Sequence, residues 1–168
     1  MKQDVRLTQV LSPNRIRTHV RATSKEEALR ILAELIAQDN NVATEEVLEK
    51  IVEREKLMST GIGKGFACPH AKFDALSTNQ AALITLEEPI EFDSLDQQPV
   101  NIVLMLVGPT SAVGEHLRLL SRISRLMVAQ EVRDRILQSQ TPEEVLAILR
   151  EEEQRRIEAQ QKEVWKNE

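Results

Sequence analysis

The stretch STGIGKGFACPH, from Ser59 to His70, gathers three glycines, the only cysteine and one of three histidines within twelve residues. Glycines let a backbone approach a ligand closely, and a turn of successive N–H groups forms an anion-binding concavity. A histidine beside such a turn has several possible uses. His70 can be a hydrogen-bonded surface residue of no chemical consequence. It can be a metal ligand, but with Cys68 it supplies two donors at one-residue spacing, where zinc sites collect three or four. It can pair with Cys68 for nucleophilic catalysis, though no orienting third group is evident and Cys68 reads better as a small buried apolar residue. It can accept a phosphoryl group, because a neutral imidazole nitrogen attacks phosphorus and the dianionic product needs only nearby donors.

For that last reading the sequence offers helpers. Loop N–H groups and the guanidinium of Arg54 could meet the charge without a metal. His116 lies next to the apparent start of a helix, where backbone N–H groups and the helix dipole favour an anion; the blander reading is that it caps that helix. Arg118, Arg122 and Arg125 recur at three- and four-residue spacing beside it, a solvated face or one that meets acidic partner surface or the phosphate. His19 belongs to no such constellation.

Composition bounds what this chemistry can serve. A chain of 168 residues with 41% hydrophobic content suits one domain with a sizeable core. Its net charge of −5, without a Lys/Arg block, argues against nucleic-acid binding, and 2% aromatics leave no platform for stacking bases. The N-terminus lacks the apolar core of a signal peptide, and no apolar run approaches the ~20 residues that span a bilayer. A single cysteine fits a reducing compartment, so the expected location is cytoplasmic.

The elements that must position these residues follow from pattern. Alternation around Ile16 and Val20 predicts a strand near 15–20. Ser24 with Glu27 reads as a capping box opening a helix with Ala28, Leu29, Ile31, Leu32, Leu35 and Ile36 on its apolar stripe, ended by QDNN. A second helix runs from about Thr44 towards Leu57, with Glu45 and Glu46 in its first turn. FACPH reads as a short strand stopping at Pro69. QAALITL and VNIVLMLVG are strand-length apolar runs, the second buried on both faces, joined by the polar connection EEPIEFDSLDQQP. GPTSAVGEH opens a helix with Leu117, Leu120, Ile123, Ser124 and Met127 on one face. Thr141, Pro142 and Glu144 mark the start of a last helix, followed beyond Arg150 by a polar, solvated helical extension in which Trp165 is a candidate contact to the domain or a second subunit. The expectation is a single α/β domain, a mixed β-sheet flanked by helices on both faces, over residues 1–150, with a polar helical extension over 151–168.

Three segments, EREKLMSTGIGKGFACPHAK, PIEFDSLDQQPVNIVLMLVGP and EHLRLLSRISRLM, occur in this order. Together they resemble the enzyme IIA domain of the fructose/mannitol class of the bacterial phosphoenolpyruvate-dependent sugar phosphotransferase system, over about residues 5 to 150. The resemblance implies that His70 is phosphorylated by the histidine-phosphocarrier protein and passes the group to a cysteine of a IIB domain. It implies that His116 assists by hydrogen bonding and that Arg54 pairs with the phosphate. Thr60, Gly61 and Gly63 match the loop as backbone donors or shapers of the pocket. No cofactor and no metal are implied.

The loop and the PIEFDSLDQQPV segment look most similar to the nitrogen-regulatory branch, whose phosphorylation state regulates other proteins. A chain without attached IIB, IIC or phosphocarrier segments fits that branch and equally a separate sugar-specific subunit. The reading is thus a phosphotransferase-system IIA component. Its partners are the histidine-phosphocarrier protein and either a IIB domain or a regulated protein, with the tail as a candidate surface for homo-oligomer formation. The alternative is a phosphorylation-independent regulatory binding module. An enzyme acting on a free small molecule comes third, because neither a metal cluster nor a paired-carboxylate signature is present. Lys72, after the P-H-A run, is a candidate for tuning partner choice.

Overall fold

The computed structural model describes residues 5–166, with side chains through 163. Its six strands are β1 (Ile16–Val20), β2 (Gly61–Gly63), β3 (Phe66–Ala67), β4 (His70–Lys72), β5 (Gln80–Ile90) and β6 (Val100–Gly108). Its six α-helices are α1 (Leu7–Val10), α2 (Lys25–Asn40), α3 (Thr44–Leu57), α4 (Val113–Met127), α5 (Gln130–Gln138) and α6 (Pro142–Lys166). The strand order is β1-β5-β6-β3-β2, with β4 also paired to β6. β5 runs antiparallel to β6, whereas β1 is parallel to β5 and both β3 and β4 are parallel to β6, so the sheet is mixed.

The alternation of a strand explains why β5 and β6 read as continuous apolar runs. Ala82, Ile84, Val103, Met105 and Val107 point into a core beneath α2 and α3. Ala81, Leu83, Ile102, Leu104 and Leu106 point the other way, into a core shared with α1, α4, α5 and α6. The expected α/β fold with helices on both faces is what the chain adopts.

Several local expectations change once neighbours are present. The FACPH strand stops at Ala67 and resumes at His70, because Pro69 has no N–H for the ladder while its carbonyl still accepts from Leu106 N–H at 3.0 Å. The polar connection after QAALITL is partly strand: β5 continues to Ile90 opposite Val100, and Phe92 is fully buried. At α2, Ser24 Oγ accepts from Glu27 N–H at 3.1 Å, but the Glu27 carboxylate turns to the backbone and hydroxyl of Thr23 rather than to Ser24 N–H. The buried face of α4 is His116, Leu119, Ile123, Leu126 and Met127, not the row containing Leu117, Leu120 and Ser124, because α4 lies between the sheet and a cleft. The short helices α1 and α5 had no reading from pattern alone.

The extension also begins inside the domain. α6 runs continuously through residue 150, and Glu152 and Glu153 are 2% and 1% exposed; only from 158 to 163 is every residue exposed. Glu153 accepts from Leu7 N–H at 2.6 Å, Thr8 N–H at 3.1 Å and Thr8 Oγ1 at 2.8 Å, so it caps α1, and Arg122 of α4 lies 3.8 Å away. Arg122 is therefore tied into the α4–α6 interface rather than spread on a solvated face. The Trp165 side chain lies outside the described residues. Glu153→Ala leaves the α1 N–H groups and the Arg122 charge without this carboxylate, and is expected to cost about 3 kcal/mol in urea unfolding. Ending the chain after 150 is expected to cost at least as much, whereas ending it after 160 leaves stability nearly unchanged.

Candidate functional site

Three elements bring the site together at one end of β6. His70 opens β4, directly opposite Leu106; Arg54 comes from the last turn of α3; His116 comes from the second turn's start in α4. Two adjoining clefts meet at His70. One, of about 590 Å³, is lined by Lys50, Arg54, Lys72, His116 and Leu117 among others. The second, of about 260 Å³, is lined by Thr60, Gly61, Cys68 and Ser124, with Arg54 and His70 shared between the two.

The tautomer of His70 follows from its partner. Nδ1 lies 2.8 Å from the Cys68 carbonyl oxygen, and a carbonyl only accepts, so Nδ1 carries the proton and Nε2 keeps its lone pair. Half-burial lowers the ring's affinity for a second proton, the carbonyl hydrogen bond opposes that shift, and the Arg54 charge adds to it. The ring of His116 stands with its centroid 5.9 Å from that of His70, tilted by 59°. Burial first, then His70 and Lys72, pushes His116 down to about 4. Both imidazoles are thus neutral at pH 7, and His70 presents a nucleophilic nitrogen.

The sulfur of Cys68 is a different matter. It is buried, and desolvation followed by the Glu55 charge pushes the thiol up to about 12, so it is no thiolate at neutral pH. What Cys68 contributes to the site is its backbone carbonyl. Among the described residues, no group of three or more His, Cys, Asp or Glu is placed to hold a metal ion.

The glycine-containing segment is a hairpin. β2 and β3 are antiparallel, and Lys64 and Gly65 turn between them with φ of 58° and 83°. Its backbone donors are largely committed. Thr60 donates its N–H to the Glu55 carboxylate at 3.1 Å and its hydroxyl to the same group, while Gly61 N–H donates to Ser59 Oγ at 3.1 Å. Gly63, with φ of 114°, lies against the Asp96 carboxylate. Of the two roles expected for Thr60, Gly61 and Gly63, these bonds serve the shaping of the wall. Gly61 is needed for that shape, since a Cβ there would collide with Ser94.

Glu55 was missed by the sequence reading although it adjoins Arg54. Its carboxylate is 6% exposed, pairs with Lys25 at 2.8 Å and holds Thr60, whose carbonyl accepts from Cys68 N–H at 3.0 Å. Lys25 sits over the Phe92 ring at 4.7 Å. The other missed residue is Asn79, 2% exposed, whose Oδ1 lies 3.0 Å from His116 Nδ1. Nothing in STNQ distinguishes it from a turn residue. Around the clefts Leu57, Leu95 and Leu117 are exposed apolar side chains, at 82%, 77% and 61%.

The mixed sheet covered by helices on both faces, which holds the two-histidine cleft beside an arginine, is a fold shared with proteins of known class. Residues 9–152 match the family "Phosphoenolpyruvate-dependent sugar phosphotransferase system, EIIA 2". A nitrogen regulatory protein of Pseudomonas aeruginosa is 36% identical over 146 residues, covering 86% of this chain and 95% of that one. The crystal structure of nitrogen regulatory protein IIA-Ntr from Neisseria meningitidis superposes with a TM-score of 0.82 at 31% identity, covering 85% of this chain and 98% of that one. The IIA component in the complex of enzyme IIA and phosphorylated enzyme IIB for mannitol from Escherichia coli shares the fold, with a TM-score of 0.70 at 22% identity, over 82% of this chain and 95% of that one. This chain belongs to the EIIA 2 family of the phosphoenolpyruvate-dependent sugar phosphotransferase system. Among the described residues, no helix is long and apolar enough to cross a membrane.

The depressed His116 value gives a pH signature. An unfolded histidine titrates near 6.5, so between about 6.5 and about 4 the unfolded chain binds more protons than the folded one, and stability falls as pH drops through that window. The total contribution is on the order of 3 kcal/mol. Urea unfolding of His116→Gln is expected to show a shallower loss of stability between pH 7 and pH 4 than the parent chain.

Proposed function

We propose that this chain is a phosphocarrier whose acceptor atom is His70 Nε2. The observation that carries the reading is the Cys68 carbonyl on Nδ1, which leaves a bare Nε2 at the junction of two open clefts beside Arg54 and His116. In the forward step the Nε2 lone pair bonds to phosphorus as the phosphorus–nitrogen bond of the phosphorylated histidine-phosphocarrier protein breaks, and that bond's electron pair returns to the donor ring. The proton stays on Nδ1, donated to the Cys68 carbonyl oxygen, and the delocalised positive charge of the phosphorylated ring strengthens that N–H as a donor. Arg54 offsets the arriving charge, and His116 meets a phosphoryl oxygen. Positioning and charge stabilisation suffice for such a transfer.

Onward transfer has two forms. A IIB cysteine thiolate can take the group, with Nε2 recovering its lone pair. Alternatively, the arriving phosphoryl dianion, which with the ring's positive charge adds a net charge of about −1, changes which partner docks on the apolar rim. Similarity to nitrogen regulatory proteins of 36% and 31% identity supports the regulatory form. The exposed apolar residues around His70 also suit a binding module that works without phosphorylation, and a His70→Ala chain that kept every partner contact and regulatory effect would favour that reading.

The test mixes the protein with phosphoenolpyruvate, enzyme I and the histidine-phosphocarrier protein, and follows phosphorus NMR and mass spectrometry. An acid-labile, base-stable phosphate on His70, absent in His70→Ala, is the expected result; no label on the parent chain sinks the proposal. Arg54→Ala is expected to slow phosphorylation about 10- to 100-fold through loss of a charge-assisted hydrogen bond, with the fold unchanged.

A further inference from the structure

Asn79 is buried, and its amide orientation is determined by three neighbours. Nδ2 lies 3.1 Å from Glu115 Oε1 and 3.3 Å from the Ala112 carbonyl oxygen, both acceptors, while Oδ1 lies 3.0 Å from His116 Nδ1. Rotating the amide by half a turn would set its oxygen against a carboxylate and a carbonyl. Oδ1 therefore faces the ring, and because an amide oxygen only accepts, His116 Nδ1 must be the protonated nitrogen. The seat is built for this side chain: a Cβ at Gly108, the last residue of β6, would collide with the Asn79 carboxamide.

We propose that Asn79, supported by Glu115, is a positioning residue that holds His116 in its Nδ1–H tautomer and presents a bare Nε2 to the cleft, so that His116 takes up a proton there when His70 is phosphorylated. The tautomer stands on geometry alone; the proton uptake rests on the phosphocarrier reading. A bare Nε2 repels a phosphoryl oxygen, lone pair against lone pair. One proton from solvent on Nε2 turns it into a donor, while the proton on Nδ1 stays there, donated to Asn79 Oδ1, and His116 forms no bond to phosphorus.

The surrounding charges set the direction. His70 and Lys72 face the ring from β4, Lys50, Glu53 and Arg54 line the same cleft from α3, and Glu115 sits behind Asn79 on α4 itself. Asp74 of the loop after β4 is turned to Thr110 N–H at 2.7 Å. At rest, burial and the nearby cations keep His116 neutral, and a dianion in the cleft reverses that balance.

The experiment is imidazole nitrogen NMR on the full chain with labelled histidine, first without any phosphoryl donor. The parent protein is expected to show His116 as Nδ1–H. Asn79→Ala is expected to lose that tautomer while His70 keeps its own. Gly108→Ala, which touches neither histidine, is expected to reproduce the change by displacing Asn79. Asn79→Asp keeps the shape and adds a carboxylate, and is expected to raise the His116 titration by about one to three pH units, a response that mere loss of packing does not produce. Asn79→Ala is expected to slow phosphorylation about 10- to 100-fold, as removal of a histidine's orienting partner does at metal sites.

A parent His116 protonated on Nε2, or a folded Asn79→Ala chain with an unchanged tautomer, overturns the positioning role. After phosphorylation both nitrogens of His116 are expected to carry protons; a phosphorylated His70 beside a neutral His116 overturns the proton uptake. Failure of His70 to label at all, with the tautomer results intact, counts against the phosphocarrier reading instead.

Discussion

The structure depends on β6 being buried on both faces and bonded on both edges. Val103, Met105 and Val107 face one core and Ile102, Leu104 and Leu106 the other. One edge of β6 is taken by β5. The other is shared by β3 and β4, two short strands whose backbone groups would otherwise be stranded at the sheet. Pro69 falls in the gap between them. A continuous strand would have needed an N–H that proline lacks, and the interruption is what turns the Cys68 carbonyl towards the ring of His70. The tautomer of His70 thus follows from how the central strand completes its hydrogen bonding.

From that anchor the polar parts of the site are held by buried groups rather than by exposed ones. Lys25 and Glu55 tie the start of α2 to the end of α3 and to Thr60, and Thr60 in turn bonds Cys68. Asn79, just before β5, ties the start of that strand to the first turn of α4 on the opposite side of the cleft. Buried polar groups of this kind are costly when any partner is lost, so the two histidines sit in walls that resist rearrangement. Arg54 differs. Its guanidinium bonds the Met58 carbonyl at 3.1 Å in an exposed setting, which suits the role proposed for it in meeting an anion.

The far side of α4 shows the same economy of contacts. Arg122 reaches Glu153, and Glu153 caps α1, so the helix carrying His116 is packed against the chain's first and last described helices. The basic row that looked uniform in sequence is therefore divided: Arg122 belongs to an interface, while Arg118 and Arg125 remain exposed.

The sequence by itself determined the elements with strong local signals. The apolar runs of β5 and β6, the stripe of α2, the Thr141–Pro142–Glu144 start of α6 and the P-H motif at His70 were all legible, because periodicity, caps and proline act over a few residues. The family resemblance also lay in the residues themselves, in segments that the matched span of 9–152 contains. Only the tertiary structure decided which nitrogen of His70 is bare, that the Thr60 and Gly61 N–H groups are committed to Glu55 and Ser59, and that Asn79 belongs to the site. It also decided that Glu152 and Glu153, polar in a polar run, are buried against α1 and α5 rather than solvated. These depend on pairings between residues as far apart as 146 positions, and no local pattern encodes which distant carboxylate or amide will complete a hydrogen bond.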